Sequence, residues 1–596
     1  MLLQRLGEYA ERAAEDLPAE YHRAKVIDRV LRLSADGRTG ELEDRRKPAK
    51  QRAEALVEYV PHVQRSGVKV PPYLLVDTAE FVLGVPNANG RNGLTDKERA
   101  EAERRHAAYR ELALRWADSV PDDPAATALR TYLTAPDVAR PALDGVGHKE
   151  MVAVRVGTCW LHALPSAQGL WADVVRERKG GKKERSGLCL VCGEHGALLA
   201  TIPEPVKKGS VPTTGGSNEG QLVSINTAAQ GRNGIQQLVN TPICHRCGGR
   251  AMAALNHLLA SPTQSRRFKD YGTFTWWTRE AGEDPDLTPT LNDQPDEATI
   301  ARLIDSIDDQ PTPRAADGVD PDAFHGLTIG LNNARIVVRD WIDVPVPEIK
   351  HTLGLWYRQH GVHEGWKRRI RHVPRWQMAL SCGRWDGQRY VRDSAPIGLE
   401  TELMFSALHG SRLPARVLPL LVQRIHADRN IDAPRAALIR LALNRTDHYR
   451  KPEMPAALDE TDNHPVYLWG RIFAVLEQIQ RLAVPGLNTS LRDKYLPTAA
   501  AAPDPTMTQL LKNANGHLKR LHREKRGAGI ALETRLNEFL GRMPRGALPQ
   551  HLNLIEQGDF LMGYYHQRQA DFEAAAEAKT SANDQSQAPV PAQPSA

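Results

Sequence analysis

Two Cys-x-x-Cys pairs constrain this chain more than any other feature: Cys189-Leu-Val-Cys192 and Cys244-His-Arg-Cys247, each followed directly by glycine. Two thiolates on one tight turn can take two corners of a tetrahedron, and glycine permits the turn. Together Cys189, Cys192, Cys244 and Cys247 make a closed set of four thiolates, which suits a structural zinc ion. Whatever folds between residues 193 and 243 must therefore bring its two ends together. A disulfide framework belongs to secreted chains, and a redox Cys-x-x-Cys accounts for one pair but not for two. A catalytic zinc usually keeps one position open. An HNH-type nuclease would want paired histidines, and the two near the knuckles, His195 and His245, read as surface or supporting residues. Cys159 and Cys382 stand alone and read as small buried hydrophobes.

At 596 residues the chain is too long for one core, and roughly two to four domains are expected. The reading is an α+β multidomain protein. It has a mixed α/β N-terminal region with a zinc-knuckle subregion, an α+β middle, and a C-terminal helical bundle. Leu2, Leu3, Leu6, Tyr9 and Ala10 have helical spacing, and Thr95 with Glu98 forms a capping box ahead of a helix to Asp118. Tyr73 to Asp77 and Glu80 to Gly84 read as a buried strand or short helix, and Met151 to Val156 and Leu222 to Ile225 as extended runs. The N-terminal domain is placed at 1–270, with the zinc-binding insert at 186–250. Residues 271–325, rich in Asp and Pro, read as an acidic linker or flexible insertion. A middle region spans 326–453, with a strand pair from Leu327 to Asp343 and helices from Leu399 to Leu443. A bundle occupies 454–575, where Leu468, Ile472, Val475, Leu476, Ile479 and Leu482 make one apolar stripe. The tail, 576–596, reads as disordered.

Net charge is only +6, from 78 Lys+Arg against 72 Asp+Glu, so the overall balance does not by itself identify a nucleic-acid binder. The distribution says more. Basic residues crowd Arg176 to Arg185 and Lys367 to Arg375, while acid is gathered between Glu280 and Asp309. A polyanion could meet locally basic surfaces on such a molecule, although single basic runs are also ordinary solvated loops. Arg5, Glu8, Glu11, Arg12 and Glu15 interrupt the opening segment, so it does not read as a signal peptide. The longest apolar run, Val417 to Val422, is far short of the roughly 20 residues that span a bilayer. A cytoplasmic protein is expected.

Between the knuckles lie Lys207 and Lys208, which can neutralise phosphates, and Ser217, Asn218, Asn226, Arg232, Asn233, Gln236 and Gln237. Their amides and hydroxyls are donors and acceptors of the kind that read base edges. No carboxylate pair accompanies them, so hydrolysis is not suggested. A polar loop wrapped round a zinc staple has the same composition.

The opening Met1-Leu-Leu-Gln-Arg-Leu6, the block from Arg65 to Gly84, the stretch Cys189 to Asn256, the helix Gly470-Arg-Ile-Phe-Ala-Val-Leu476 and above all Gly563-Tyr-Tyr-His-Gln-Arg-Gln569 resemble the Csd-one, or Cas-eight type c, family. That family supplies the large subunit of the type I-C CRISPR Cascade complex. The resemblance implies a non-catalytic prokaryotic subunit at the 5′-handle end of the guide RNA. It would read the protospacer-adjacent motif in double-stranded DNA and promote R-loop formation, while base pairing supplies sequence specificity. A helicase-nuclease, recruited transiently, would do the cutting. Implied partners are the guide RNA, target duplex and displaced strand, and the handle-binding and repeated backbone subunits.

On the same resemblance, the segment between the knuckles would read the motif, with Lys69 as a further contact. The bundle would also be made separately, from Met454 or Met507, as a small subunit lining the displaced strand. Arg471, Lys512, Lys519, Arg520 and Arg568 would then touch phosphates; residues 507–570 carry ten Lys+Arg against five Asp+Glu. Zinc is inferred from spacing alone and not from the resemblance. The competing reading is a zinc-containing nucleic-acid-processing enzyme such as a nuclease, which would need clustered carboxylates or histidines.

Overall fold

Helices and short strands alternate through the first half of the chain, and helices build most of the second. The computed structural model describes residues 2–48, 54–63, 65, 70–87, 94–179, 185–202, 204–212, 219–269, 271–280, 283–307, 322–332, 335–447, 453–544, 546 and 548–587. The chain divides into two units. Unit 1 comprises Met1–Gly282 with Phe324–Asp343, and unit 2 comprises Glu283–Ala323 with Val344–Ala596.

Unit 1 opens with α1 (Leu2–Arg12), β1 (His22–Val26), β2 (Arg29–Leu33), β3 (Gly40–Asp44) and β4 (Val57–Pro61). β1 and β4 pair antiparallel, Arg23 opposite Val60 and Lys25 opposite Glu58. β5 (Val76–Thr78), α2 (Ala79–Val82), α3 (Asp96–Ser119), α4 (Pro124–Thr134), β6 (Met151–Val156), β7 (Cys159–Trp160) and α5 (Pro165–Lys179) follow. The sheet runs β3-β2-β6-β5, with β2 parallel to β6. A parallel pair needs a long crossover, and the helices α2 to α4 lie within it. The expected capping box is present: the Thr95 hydroxyl accepts from the Glu98 N–H, and the Glu98 carboxylate accepts from the Thr95 N–H at 2.9 Å. Trp116 and Trp171 are fully buried in the core under this sheet. The Trp171 indole N–H donates to the Tyr21 carbonyl at 2.9 Å, so a large buried side chain leaves no polar atom unmet.

The second core of unit 1 is built by α1, α6 (His245–Ala260) and a sheet of order β10-β11-β12-β13. Ahead of α6 stand the short strands β8 (Arg185–Leu188) and β9 (His195–Leu198), and the sheet consists of β10 (Ser265–Phe268), β11 (Gly272–Thr278), β12 (Ala323–Asn332) and β13 (Arg335–Pro345). β11, Gly-Thr-Phe-Thr-Trp-Trp-Thr, is buried along its whole length. Of the expected strand pair, β12 is interior and β13 lies at the edge. Leu222 to Ile225 makes no strand; its neighbourhood is held by isolated bridges, Val206 with Gly220 and Gln221 with Arg335.

Unit 2 corrects the acidic-linker reading over its described part. α7 (Leu287–Leu291) and α8 (Glu297–Asp305) are folded there, with Leu287, Leu291, Ile300 and Leu303 buried. The carboxylates that make the composition look solvated are structural. Asp296 caps α8 by accepting from the Thr299 N–H at 2.7 Å. Asp284 and Asp286 hold Lys350 at 2.9 and 3.1 Å, and Asp286 also holds Arg302 at 2.8 Å. Residues 308–321 of that stretch lie outside the described residues.

α9 (Val346–His360), β14 (Val362–Glu364), β15 (Arg369–Arg371), α10 (Arg375–Ser381), α11 (Leu399–Leu408), α12 (Val417–Asp428) and α13 (Ala433–Asn444) come next. α14 (Pro465–Ala483), α15 (Leu491–Ala501), α16 (Pro503–Glu524), α17 (Arg526–Arg542) and α18 (Leu554–Gln587) form the helical end. α14 packs along α18, and α12 and α13 also pack on α18. The expected α14 stripe is buried from Leu468 to Ile479, with Leu482 at its end only half-buried, and Val466, Tyr467, Phe473 and Ala474 off the stripe are buried too. α18 runs to Gln587, so the described part of the expected disordered tail is helical. Its run Ala574-Ala-Ala-Glu-Ala-Lys579 has the strongest helix formers. Among the described residues, no helix is long and apolar enough to cross a membrane.

Candidate metal centre and nucleic-acid interface

The turn between β8 and β9 carries Cys189 and Cys192. It is closed by the Gly193 N–H donating to the Cys189 carbonyl and the Cys189 N–H donating to the Glu194 carbonyl, both at 2.9 Å. Gly193 has φ +74°, the left-handed region that glycine enters without strain. Cys244 caps α6, and its sulfur accepts from the Cys247 N–H at 3.4 Å, which sets both thiols on the first turn of the helix. The four sulfurs lie within 4.8 Å of one another, and Cys192 Sγ to Cys244 Sγ is 3.9 Å. A tetrahedral ion with bonds of about 2.3 Å to sulfur sets its ligands about 3.8 Å apart. The donor set and spacing therefore fit zinc, held by all four thiolates with no open position. Burial works against ionisation of Cys189, but N–H groups of Cys192, Cys244 and Val191 aimed at its sulfur bring the thiol down to about 7. Burial pushes Cys247 up. Among the described residues, this is the cluster of metal-ligating side chains.

Beyond the staple, Lys207 is anchored through its N–H to Asn256 of α6 at 3.0 Å. It joins a group of cations that sequence reading missed. Arg23 of β1 lies 3.2 Å from His62 Nε2 and 3.1 Å from Glu219. The His62 imidazole is held down at about 3 by burial and then by Lys25, Arg23, Arg65 and Lys207, so it stays neutral. Burial, then neighbouring Arg23, lowers both Lys25 and Lys207. Arg65 is committed to Asp77 at 2.7 Å and lies over the Tyr73 ring at 3.6 Å. Glu204, buried beside Arg23 and Lys207, is pushed up to about 7 by burial, which limits the negative charge it contributes at neutral pH. The clue in the sequence was the alternation Arg23-Ala-Lys25, which puts both cations on one face of a strand.

Asn226, Arg232, Asn233, Gln236 and Gln237 are exposed on a surface loop with Lys208 also exposed nearby in the chain. The buried Leu238 and the Asn240 amide, donating to the Arg232 carbonyl at 3.0 Å, pin that loop. Asn233 and Gln237 both have positive φ, 55° and 60°, a strained setting for residues that carry a side chain. The Asn226 side chain accepts from Ser224 at 2.9 Å. Lys69, Ser217 and Asn218 lie outside the described residues.

The bundle residues separate into two groups. Lys512, Lys519 and Arg520 are exposed on α16, with Arg520 paired to Glu524 at 3.1 Å. Arg471 is corrected: it is fully buried, bonded to Gln567 and Glu460 and stacked on Phe539. Arg568 is largely spent as well, on Glu477 at 3.4 Å and the Phe572 ring. The same holds for the rest of Gly563 to Gln569. Tyr564 donates to the buried Glu477 at 2.7 Å, Tyr467 and His566 lie 2.9 Å apart, and Gln569 accepts from the Gly365 N–H. A Cβ on Gly470 would meet the Phe560 carbonyl oxygen at 2.0 Å, and one on Gly563 the Tyr467 carbonyl oxygen at 2.1 Å. These two conspicuous motifs are therefore the two sides of one close helix crossing.

A family profile described as CRISPR-associated protein (Cas_Csd1) matches residues 4–572. No curated protein matches the chain.

Proposed function

Because this chain belongs to the Csd1 family of CRISPR-associated proteins, we propose that it is the non-catalytic large subunit of an RNA-guided type I-C surveillance complex. In this reading unit 1 recognises the protospacer-adjacent motif in duplex DNA and promotes R-loop formation. The observation that carries it is the convergence of Lys207, Arg23 and Lys25 around the neutral His62, on a unit whose cysteine-stapled segment also displays exposed Asn, Gln and Arg side chains. Cations positioned on phosphates give affinity and register, and amides give base readout. Four thiolates leave zinc no open position for a reacting water, so zinc would shape the segment rather than act on DNA.

The guide RNA handle, backbone subunits, a small subunit from Met454 and a helicase-nuclease are the partners of this reading. Co-purification of the tagged chain from its native operon tests it: a guide RNA, repeated backbone subunits and a C-terminal fragment are expected. Charge reversal at Lys207 and Lys25 should weaken duplex binding by the purified complex across all sequences and flatten its salt dependence by about 2 in log–log slope. Recovery of the chain alone, or DNA degradation by the purified chain that a point mutation abolishes, would overturn the reading.

A further inference from the structure

Unit 2 contains a cavity of about 870 Å³ that the reading above does not use. Its floor and walls come from α10, the turn from Trp385 to Tyr390, and the start of α13. Volumes of roughly 300–1,000 Å³ are those of small-ligand sites. Three features set its chemistry. Trp376 stands on the wall with 45 % of its surface exposed, although α10 buries Met378 and Ala379 on its other face. Trp385 and Tyr390 pack edge to face with ring centroids 5.0 Å apart. The Tyr390 hydroxyl is fixed on Asp432 at 2.7 Å, so this second aromatic wall is rigid. Arg371 holds Gln377 by donating to Oε1 at 2.8 Å, which leaves the Gln377 amide nitrogen to donate elsewhere.

The charges at the rim are asymmetric in their commitments. Glu364 accepts from Arg371 at 2.8 Å. Asp386 closes its own turn, accepting from the Gln388 and Arg389 N–H groups at 2.9 and 2.8 Å. Asp432 accepts from Tyr390 and caps α13. The Arg389 side chain is 86 % exposed and only loosely near Asp386, at 3.7 Å, and Arg392 is exposed beside it. Glu364 and Asp432 are thus committed inside the fold and Asp386, though exposed, to the backbone of its own turn, while two guanidiniums remain at the mouth of an aromatic-walled cavity.

We infer that this cavity binds a single nucleotide, its base stacked on Trp376 and its phosphate met by Arg389 and Arg392. A planar base matches an exposed indole beside a fixed aromatic wall, and the amide of Gln377 offers a hydrogen bond to its edge. The occupant is either a free mononucleotide or one unpaired nucleotide of a strand; the chemistry recognised is the same. None of the unit 1 residues is involved, so the site stands apart from motif reading.

The test titrates the full-length chain with AMP, CMP and a short oligothymidylate, following tryptophan fluorescence. Saturable quenching is expected with at least one of them. Saturation by a mononucleotide identifies a free nucleotide as ligand, and saturation by the oligonucleotide alone identifies an unpaired residue of a strand; either result supports the site. Trp376→Ala should weaken binding by roughly tenfold, the effect of losing one stacked base, and the double variant Arg389→Glu, Arg392→Glu by about tenfold or more, through the lost phosphate contacts. All three positions are exposed, so far-ultraviolet circular dichroism should stay unchanged. No saturable quenching by any probe, or wild-type affinity in both folded variants, overturns the inference.

Discussion

Glu204 shows how one buried group couples stability to pH. Burial raises its carboxyl from 4.5 to about 7, so between those values the folded state binds a proton that the unfolded state has released. Stability from this group is therefore lost as pH rises through that window, by on the order of 3 kcal/mol. Glu204→Gln should stabilise the protein at pH 8 and have almost no effect at pH 5, as read from urea unfolding; an equal gain at both would contradict the assignment. The cysteines act through geometry instead. Cys189→Ser or Cys244→Ser should abolish zinc retention measured by elemental analysis and cost about 3 kcal/mol or more. On the proposed function it should also weaken duplex-motif binding. A zinc-free variant with normal motif binding would break that link. The metal set was legible in the sequence because its spacing is itself the signal. The cation group was only half legible: Lys207 lies in a basic, glycine-rich run, whereas Arg23 and Lys25 reach it from a strand distant in sequence, and pairwise spacing carries no trace of that approach.

At the level of elements, the helices that sequence patterning found best are those whose periodicity and caps agree, as in α3 with its Thr95 capping box and α14 with its stripe. α7 and α8 were missed because Asp was counted as a sign of solvation, when Asp296 is a cap and Asp284 and Asp286 are ion-pair partners. Arg471 was misassigned for the complementary reason: a basic residue on an amphipathic helix carries no label saying that Glu460 and Gln567 await it. The α14–α18 crossing makes a sharp prediction. Gly470→Ala or Gly563→Ala forces a methyl group into a backbone carbonyl on the facing helix, and each should cost about 3 kcal/mol. Chemical denaturation would show it as a lower midpoint with an unchanged slope. A loss below about 1 kcal/mol would mean that the helices can part without penalty.

On the proposed function, the same crossing favours Met454 over Met507 as the internal start. A fragment from Met507 lacks α14, and with it Glu477 and Gly470, the partners of Tyr564 and of the close approach to α18. A fragment from Met454 keeps them, although Met454 itself is buried, with its N–H donating to Asn444 at 2.8 Å. Residues 454–596 expressed alone should melt cooperatively by circular dichroism, and residues 507–596 should not; cooperative melting of the shorter piece at an equal temperature would refute the argument. The division of the whole chain into units has a consequence for its synthesis and engineering. The chain leaves unit 1 after Gly282, returns at Phe324 to supply β12 beside β11, and leaves again after Asp343. On the ribosome, β11 must wait for a strand made after α7 and α8, and α8 must wait for α9, its packing partner in unit 2. Neither unit can finish before the other has begun, so the two cannot be exchanged between relatives as cassettes with a single junction. A graft of unit 1 has to carry Phe324–Asp343 with it, and after one proteolytic nick at any of the three passages the other two still cross between the units.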